Sequence, residues 1–227
     1  MNHSVHTVLF DLDGTLLDTA PDLAFALNTL LVEQKRAPLP FEQIRPFVSY
    51  GSTILVKMAF NLTEHDQTFT DLRQQFLNLY VDHIADKTVL FPGMAEVLNT
   101  LEKQGIQWGI VTNKPAWLTE PLLQELDLTH RSVCNISGDT LPQNKPHPAP
   151  LLHACQLAQS LPESCIYVGD AQRDIEAGQR AGMRTLVALY GYIDEKETPT
   201  QWGATGMLQQ PLDLLSWIDQ SITVLNS

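Results

Sequence analysis

Val8-Leu9-Phe10-Asp11-Leu12-Asp13-Gly14-Thr15-Leu16 decides how this chain is read. A short apolar run ends in two carboxylates one residue apart, followed by a glycine and a threonine. Strand alternation puts residues i and i+2 on one side, so Asp11 and Asp13 are expected to project together from the end of a buried strand. Carboxylates held that close repel each other unless a cation or a shared proton intervenes. The pair therefore reads as a metal site, an acid/base pair, or both. An acidic turn after a strand is the plain alternative for so short a motif.

Outward from this stretch the pattern changes character. Residues 5–10 read as a strand. After Thr19 and Pro21, Leu23, Leu27, Leu30 and Leu31 recur at helical spacing until Pro38-Leu39-Pro40 breaks the run. A short element over 41–48 leads to Ser49-Tyr50-Gly51-Ser52, expected to cap a helix through Phe60. Thr63 with Asp66 reads as the start of a longer helix, with Phe69, Leu72, Phe76, Leu79, Tyr80 and His83 along one face. Residues 16–86 are thus expected to form an all-helical domain without a strand, inserted into a domain made of 1–15 and 87–227. In that second part, strands over 106–111, 133–136, 165–168, 185–189 and 207–208 alternate with helices over 94–104, 120–128, 149–160, 175–181 and 212–222. Such alternation implies an α/β fold, a doubly wound parallel sheet with helices on both faces.

Composition narrows the partners. With 227 residues, 44% hydrophobic and 18% charged, the chain can bury a substantial core. Its formal charge of −12 argues against nucleic acid or an anionic membrane surface as partner. The same charge would repel a phosphate ester unless cations are built into the site. No apolar stretch approaches membrane-spanning length, and Met1-Asn2-His3 begins no signal peptide, so a cytoplasmic protein is expected. Cys134, Cys155 and Cys165 lack a C-x-x-C spacing and read as buried free thiols.

Ligands of an open parallel sheet bind outside the carboxyl ends of its strands. Three expected strands end in reactive polar residues: Asp11 after Val8-Leu9-Phe10, Thr112-Asn113 after Ile110-Val111, and Gly169-Asp170 after Ile166-Tyr167-Val168. Taken singly, each reads as the start of a loop. Lys145-Pro146, in a loop before a helix, reads alone as solvated surface. Together they make a constellation suited to phosphoryl transfer.

Asp11-Leu12-Asp13-Gly14-Thr15-Leu16-Leu17-Asp18, Thr112, Lys145 and Gly169-Asp170-x-x-x-Asp174 resemble the four motifs of the haloacid dehalogenase superfamily of phosphohydrolases. The resemblance implies a Rossmann-like core with a helical cap inserted where residues 16–86 lie. It implies Asp11 as nucleophile, Asp13 as general acid/base, and Thr112, Asn113 and Lys145 around the phosphate. It also implies Mg²⁺ held by Asp11, Asp170 and the backbone carbonyl of Asp13, with Asp174 behind them. Phosphoryl transfer would then run through an aspartyl phosphate to water. Asp13 separates the chain from the superfamily's dehalogenases, which lack an acid at that position.

Peripheral stretches resemble two related groups. Thr112-Asn113-Lys114-Pro115, Asn144-Lys145-Pro146-His147-Pro148 and Tyr190-Gly191-Tyr192 are similar to bacterial phosphoglycolate phosphatases. Asp18-Thr19-Ala20-Pro21-Asp22, Val48-Ser49-Tyr50-Gly51, Trp108-Gly109, Tyr190-Gly191-Tyr192-Ile193 and Trp202-Gly203-Ala204 are closer to the N-acetylmuramic acid 6-phosphate phosphatases of peptidoglycan recycling. Both substrates carry a carboxylate besides the phosphate, which calls for a cap cation, and Arg45 is the candidate. Trp108 and Trp202 read as packing residues. The other functions open at this point are a sugar phosphomutase, which the resemblance also admits, and a non-catalytic binding protein on the same fold.

Overall fold

The computed structural model describes residues 4–223, with side chains described through residue 219. Residues 1–3, on which the absence of a signal peptide was argued, lie outside the described residues. β1 (Thr7–Phe10) leads through the Asp11–Leu16 turn to β2 (Leu17–Asp18). Four helices come next: α1 (Ala20–Glu33), α2 (Phe41–Ile44), α3 (Gly51–Phe60) and α4 (Phe69–Asp82), with a 3₁₀ turn over Arg45–Tyr50 between α2 and α3. Then come β3 (Val89–Leu90), α5 (Met94–Lys103), β4 (Gln107–Val111), α6 (Ala116–Glu125), β5 (Asn135–Ile136) and α7 (Ala149–Leu157). β6 (Cys165–Gly169), α8 (Gln172–Arg180), β7 (Arg184–Ala188), β8 (Gly206–Leu208) and α9 (Asp213–Thr223) complete the chain.

Six strands form one parallel sheet in the order β5-β4-β1-β6-β7-β8. The direction in which strands are added reverses at β1: β4 and β5 add on one side, β6 to β8 on the other. That reversal opens a crevice at the carboxyl ends of β4, β1 and β6, the place where doubly wound sheets bind ligands. Alternation divides the strand residues between two faces. Val8, Phe10, Ile166 and Val168 pack with Leu98 and Leu101 of α5, Leu122 of α6 and Ile218 of α9. Leu9, Cys165 and Tyr167 pack on the opposite face with Leu151 and Ala154 of α7 and Ala177 of α8. The three cysteines are buried and free. Trp108 is buried with its Nε1–H donated to Glu102, and Trp202 packs beside Ile175 and Val187.

Two expectations for residues 16–86 are corrected. The stretch is not free of strand: β2 pairs antiparallel with β3, Leu17 opposite Leu90 and Asp18 opposite Val89. Two-residue strands carry no periodicity, so only the meeting of the two linkers reveals them. Asp22, buried at the start of α1, accepts the N–H groups of Lys87 and Thr88 and the Thr88 hydroxyl, and ties the same linkers together. Thr63 and Asp66 start no helix; Asp66 accepts the N–H and hydroxyl of Thr63 in a closed turn, and α4 begins at Phe69. α1 packs on α4 and α3 through Leu27, Leu30, Leu31, Leu55, Phe76 and Tyr80. Among the described residues, no helix is long and apolar enough to cross a membrane.

Candidate active site

β1 ends at Phe10, and the chain turns immediately. Leu16 and Leu17 return N–H bonds to the Leu12 carbonyl, and Gly14 donates to Leu17. The i, i+2 rule therefore stops before Asp11, and the two carboxylates diverge although both line one cavity. Asp11 is buried and meets Lys145; Asp13, less buried, meets Lys114 at 3.0 Å. Each acid has acquired its own lysine.

Lys145 forms the buried centre of the floor. Its side chain is fully shielded, and four oxygens stand around Nζ: Asp11 Oδ1 and Asp174 Oδ1 at 2.8 Å, Tyr167 Oη at 2.7 Å and the Val111 carbonyl at 2.9 Å. A buried ammonium is costly unless paired and hydrogen-bonded, and here two carboxylates and two neutral acceptors offset the cost. Asn113 fixes the loop that carries it, accepting the Lys145 N–H through Oδ1 and donating Nδ2–H to the Lys145 carbonyl. The Asn113 amide is thus engaged with the lysine loop, although the residue lines the cavity. Thr112 is buried beside it and accepts the Lys114 N–H at 3.1 Å.

Asp170 is packed from every side. Thr15 Oγ1 donates to Oδ1, while Ser49 Oγ at 2.7 Å and the Tyr192 N–H at 2.9 Å donate to Oδ2. The glycines of two motifs make this packing possible. A Cβ at Gly14, which has φ +85°, would sit 2.2 Å from Asp170 Oδ2, and one at Gly191 would sit 2.4 Å from Asp170 Cβ. Burial above all, then the neighbouring Asp11 and Asp174 charges, raise the Asp170 carboxyl to about 7. Burial likewise raises Asp11, against the opposing pull of Lys145.

Asp11, Asp170 and Asp174 place carboxylate oxygens within 4.8 Å of one another. Three buried acids so close, two of them raised by burial and mutual repulsion, form an all-oxygen donor set that suits a hard divalent cation. Asp174 has other work: Oδ1 meets Lys145 and Oδ2 accepts the Ala171 N–H at the start of α8. Asp11, Asp170 and Asp174 are the residues that could hold such a cation. The Asp13 carboxylate stands outside the cluster, and its backbone carbonyl lies 3.5 Å from Ser49 Oγ.

With this geometry in view, the comparisons with known proteins are direct. The sequence pattern of haloacid dehalogenase-like hydrolases matches residues 8–188. The chain belongs to the haloacid dehalogenase-like hydrolase family. Within it, the chain is 41% identical over 218 residues to an N-acetylmuramic acid 6-phosphate phosphatase of Pseudomonas putida KT2440, spanning 96% of this chain and 98% of that protein. It is 43% identical over 206 residues to a phosphoglycolate phosphatase of Xylella fastidiosa Temecula1, spanning 90% and 89%. The crystal structure of a predicted phosphoglycolate phosphatase from Haemophilus somnus 129pt superposes with a TM-score of 0.83 at 29% identity, spanning 94% of this chain and 97% of that one.

One residue of this haloacid dehalogenase-like site stands elsewhere than expected. Arg45 does not line the cavity. Its Nη1 and Nη2 donate to the Gly191 and Tyr190 carbonyls at 3.0 and 3.1 Å, and its guanidinium lies 4.8 Å from the centre of the Tyr192 ring. It braces the loop that reaches Asp170. Thr19, at the start of α1, donates to Asp13 Oδ1 at 2.6 Å.

Several contributors carried no assigned role in the sequence reading. Lys114 holds Asp13 and Tyr80 Oη; burial pulls its ammonium down, but Asp13 and Tyr80 more than offset this and hold it above the ordinary range. Its position three residues past the end of β4 was the available signal. Arg173, inside the Asp170-x-x-x-Asp174 spacing, donates Nη2–H to the Ser49 carbonyl at 2.6 Å. Ser49 and Arg173 thus join the 3₁₀ turn before α3 to Asp170 and α8. Only the fold reveals those contacts.

Proposed function

We propose that the chain is a phosphomonoester hydrolase that works through an aspartyl phosphate on Asp11, with N-acetylmuramic acid 6-phosphate as substrate. The observation that carries the mechanism is the arrangement of two acids on two lysines in one cavity. Both described contacts to Asp11, from Lys145 and from the Leu12 N–H at 2.7 Å, fall on Oδ1, which leaves Oδ2 to attack phosphorus. The bond from phosphorus to the ester oxygen breaks as the Asp11–phosphorus bond forms. Asp13, held by Lys114 and Thr19, gives its proton to the leaving alkoxide and then takes one from the water that hydrolyses the acyl phosphate. Thr112 offers a hydroxyl to the transferring oxygens, and Lys145, held under Asp11, supplies positive charge beneath them. Mg²⁺ held by Asp11 and Asp170, when bound, neutralises charge on the phosphoryl oxygens.

Residues 16–86 act in this reading as a cap. The β2–β3 ribbon and the Asp22 clasp join it to the sheet at linkers 16–19 and 88–92, where it hinges to admit substrate and exclude water. The contacts of Ser49 with Asp170 and Arg173 are those of a cap resting on the site.

Cavity size favours the sugar phosphate. Its volume is about 400 Å³, within the range of sites that enclose drug-sized molecules, and 2-phosphoglycolate would leave most of it empty. The comparable identity to a phosphoglycolate phosphatase keeps that ester as the second reading. A panel of N-acetylmuramic acid 6-phosphate, 2-phosphoglycolate and glucose 6-phosphate, assayed by phosphate release with and without Mg²⁺, decides between them. The highest kcat/KM is expected for the muramic ester, lost on chelation. A preference for 2-phosphoglycolate would transfer the assignment.

A further inference from the structure

With Arg45 outside the cavity lining, another cation has to meet the second anionic group of a carboxylated phosphate ester. Among the described residues lining the cavity, the cationic side chains are Arg73, Lys114 and Arg173. Lys114 is engaged by Asp13 and Tyr80. Arg173 lies among Asp11, Asp170 and Asp174, which sustain its charge against burial, and it is bonded to Ser49. It belongs to the phosphoryl end of the cavity.

Arg73 is placed differently. It projects from α4, and its Nε–H donates to Ser52 Oγ at 2.9 Å. Its two terminal nitrogens have no protein hydrogen bond among the described residues. Ser52 therefore sets the plane of a guanidinium whose fork is open. Arg73 also stands where the cavity meets a shallower groove walled by Pro115 and the half-exposed Trp117. Asp11 and Arg73 line the same cavity, so one ligand can face both. An open fork is the geometry that binds a carboxylate through two parallel hydrogen bonds.

We propose that Arg73 is the specificity residue of this cavity, binding a carboxylate at the end of the substrate remote from the phosphate. Its substrate class is phosphate monoesters that carry such a second anion on a sugar-sized body. This rests on the phosphatase reading above and supplies the group that reads the lactyl carboxylate of a muramic ester.

The test uses the full chain with Mg²⁺ on two esters that differ in the lactyl group, N-acetylmuramic acid 6-phosphate and N-acetylglucosamine 6-phosphate. Arg73→Ala is expected to lower kcat/KM on the muramic ester about tenfold to hundredfold, the loss of a charge-assisted pair. The neutral sugar should suffer a clearly smaller loss. Arg73→Lys, which keeps the charge without the fork, should fall between wild type and Arg73→Ala on the muramic ester and confirm that the chain still folds. Equal losses on the two esters, or no loss on either, would overturn the assignment of Arg73. Wild-type preference for the neutral sugar would overturn the substrate class while leaving the phosphatase reading intact. No phosphate release from any ester by the wild type would remove that reading and this proposal together.

Discussion

The floor and the roof of the cavity are built by different means. The floor is made at the ends of three neighbouring strands, β4, β1 and β6, whose ladders fix the start of each functional loop. Thr112 N–H still bonds the Ile136 carbonyl and Asp11 N–H the Val168 carbonyl, so both residues leave the sheet in fixed positions. Lys145 then locks Asp11 and Asp174 from below. The roof comes from α3, α4 and a 3₁₀ turn, and it meets the floor through a few side-chain bonds from Ser49, Arg173 and Lys114. Backbone ladders make the floor rigid and chemically uniform. The roof is held to it by side-chain contacts.

Breaking the floor should therefore abolish chemistry, and altering the roof should change selection. The largest expected effect is that of Asp11→Asn, whose amide is no nucleophile. Turnover should fall by a factor on the order of 10⁴ to 10⁶, with circular dichroism unchanged. Retention of substantial turnover, once deamidation is excluded by mass spectrometry, would take the nucleophile's role from Asp11. Next comes Asp13→Asn, expected to cost about 10² to 10⁴ in kcat. Its loss should be greater on alkyl esters than on aryl esters, whose leaving groups need no proton. Equal losses on both would show that Asp13 does not act as the acid.

Metal binding should register without catalysis. Mg²⁺ at a hundred times its Kd stabilises the folded chain by about 2.7 kcal/mol, a rise in Tm of roughly 5–10 °C for a chain of this size. Asp170→Asn should erase most of that rise in a thermal melt. An undiminished response would move the metal away from Asp170. The smallest effect belongs to Arg45→Ala. It removes two hydrogen bonds that brace the loop over 190–192, and should lower stability by about 1–3 kcal/mol. The ratio of kcat/KM between the muramic and glucosamine esters should not change. A shift in that ratio would return Arg45 to the substrate.

The divergence of Asp11 and Asp13 shows where sequence reasoning reaches its limit. Alternation governs Val8, Leu9 and Phe10 because ladder bonds hold them on both sides. It ends with the ladder, and the turn closed on the Leu12 carbonyl aims the two acids at different lysines. The β2–β3 ribbon escaped for a related reason, since two residues show no period. Trp108, Trp202 and the three cysteines packed as their apolar surroundings implied.

The sequence by itself determined the α/β class and the strands whose ends carry Asp11, Thr112 and Asp170. All of these come from periods of two and 3.6 residues and from short motifs read over a few neighbours. Tertiary structure decided which cation faces the cavity. Arg45 looked suited to a substrate, yet it is bonded to a carbonyl 146 residues away. Arg73 stood inside an ordinary amphipathic helix, yet it lines the cavity that holds Asp11 and Asp13. A long cationic side chain finds its partner through the packing of distant elements, and no local spacing records which partner that will be.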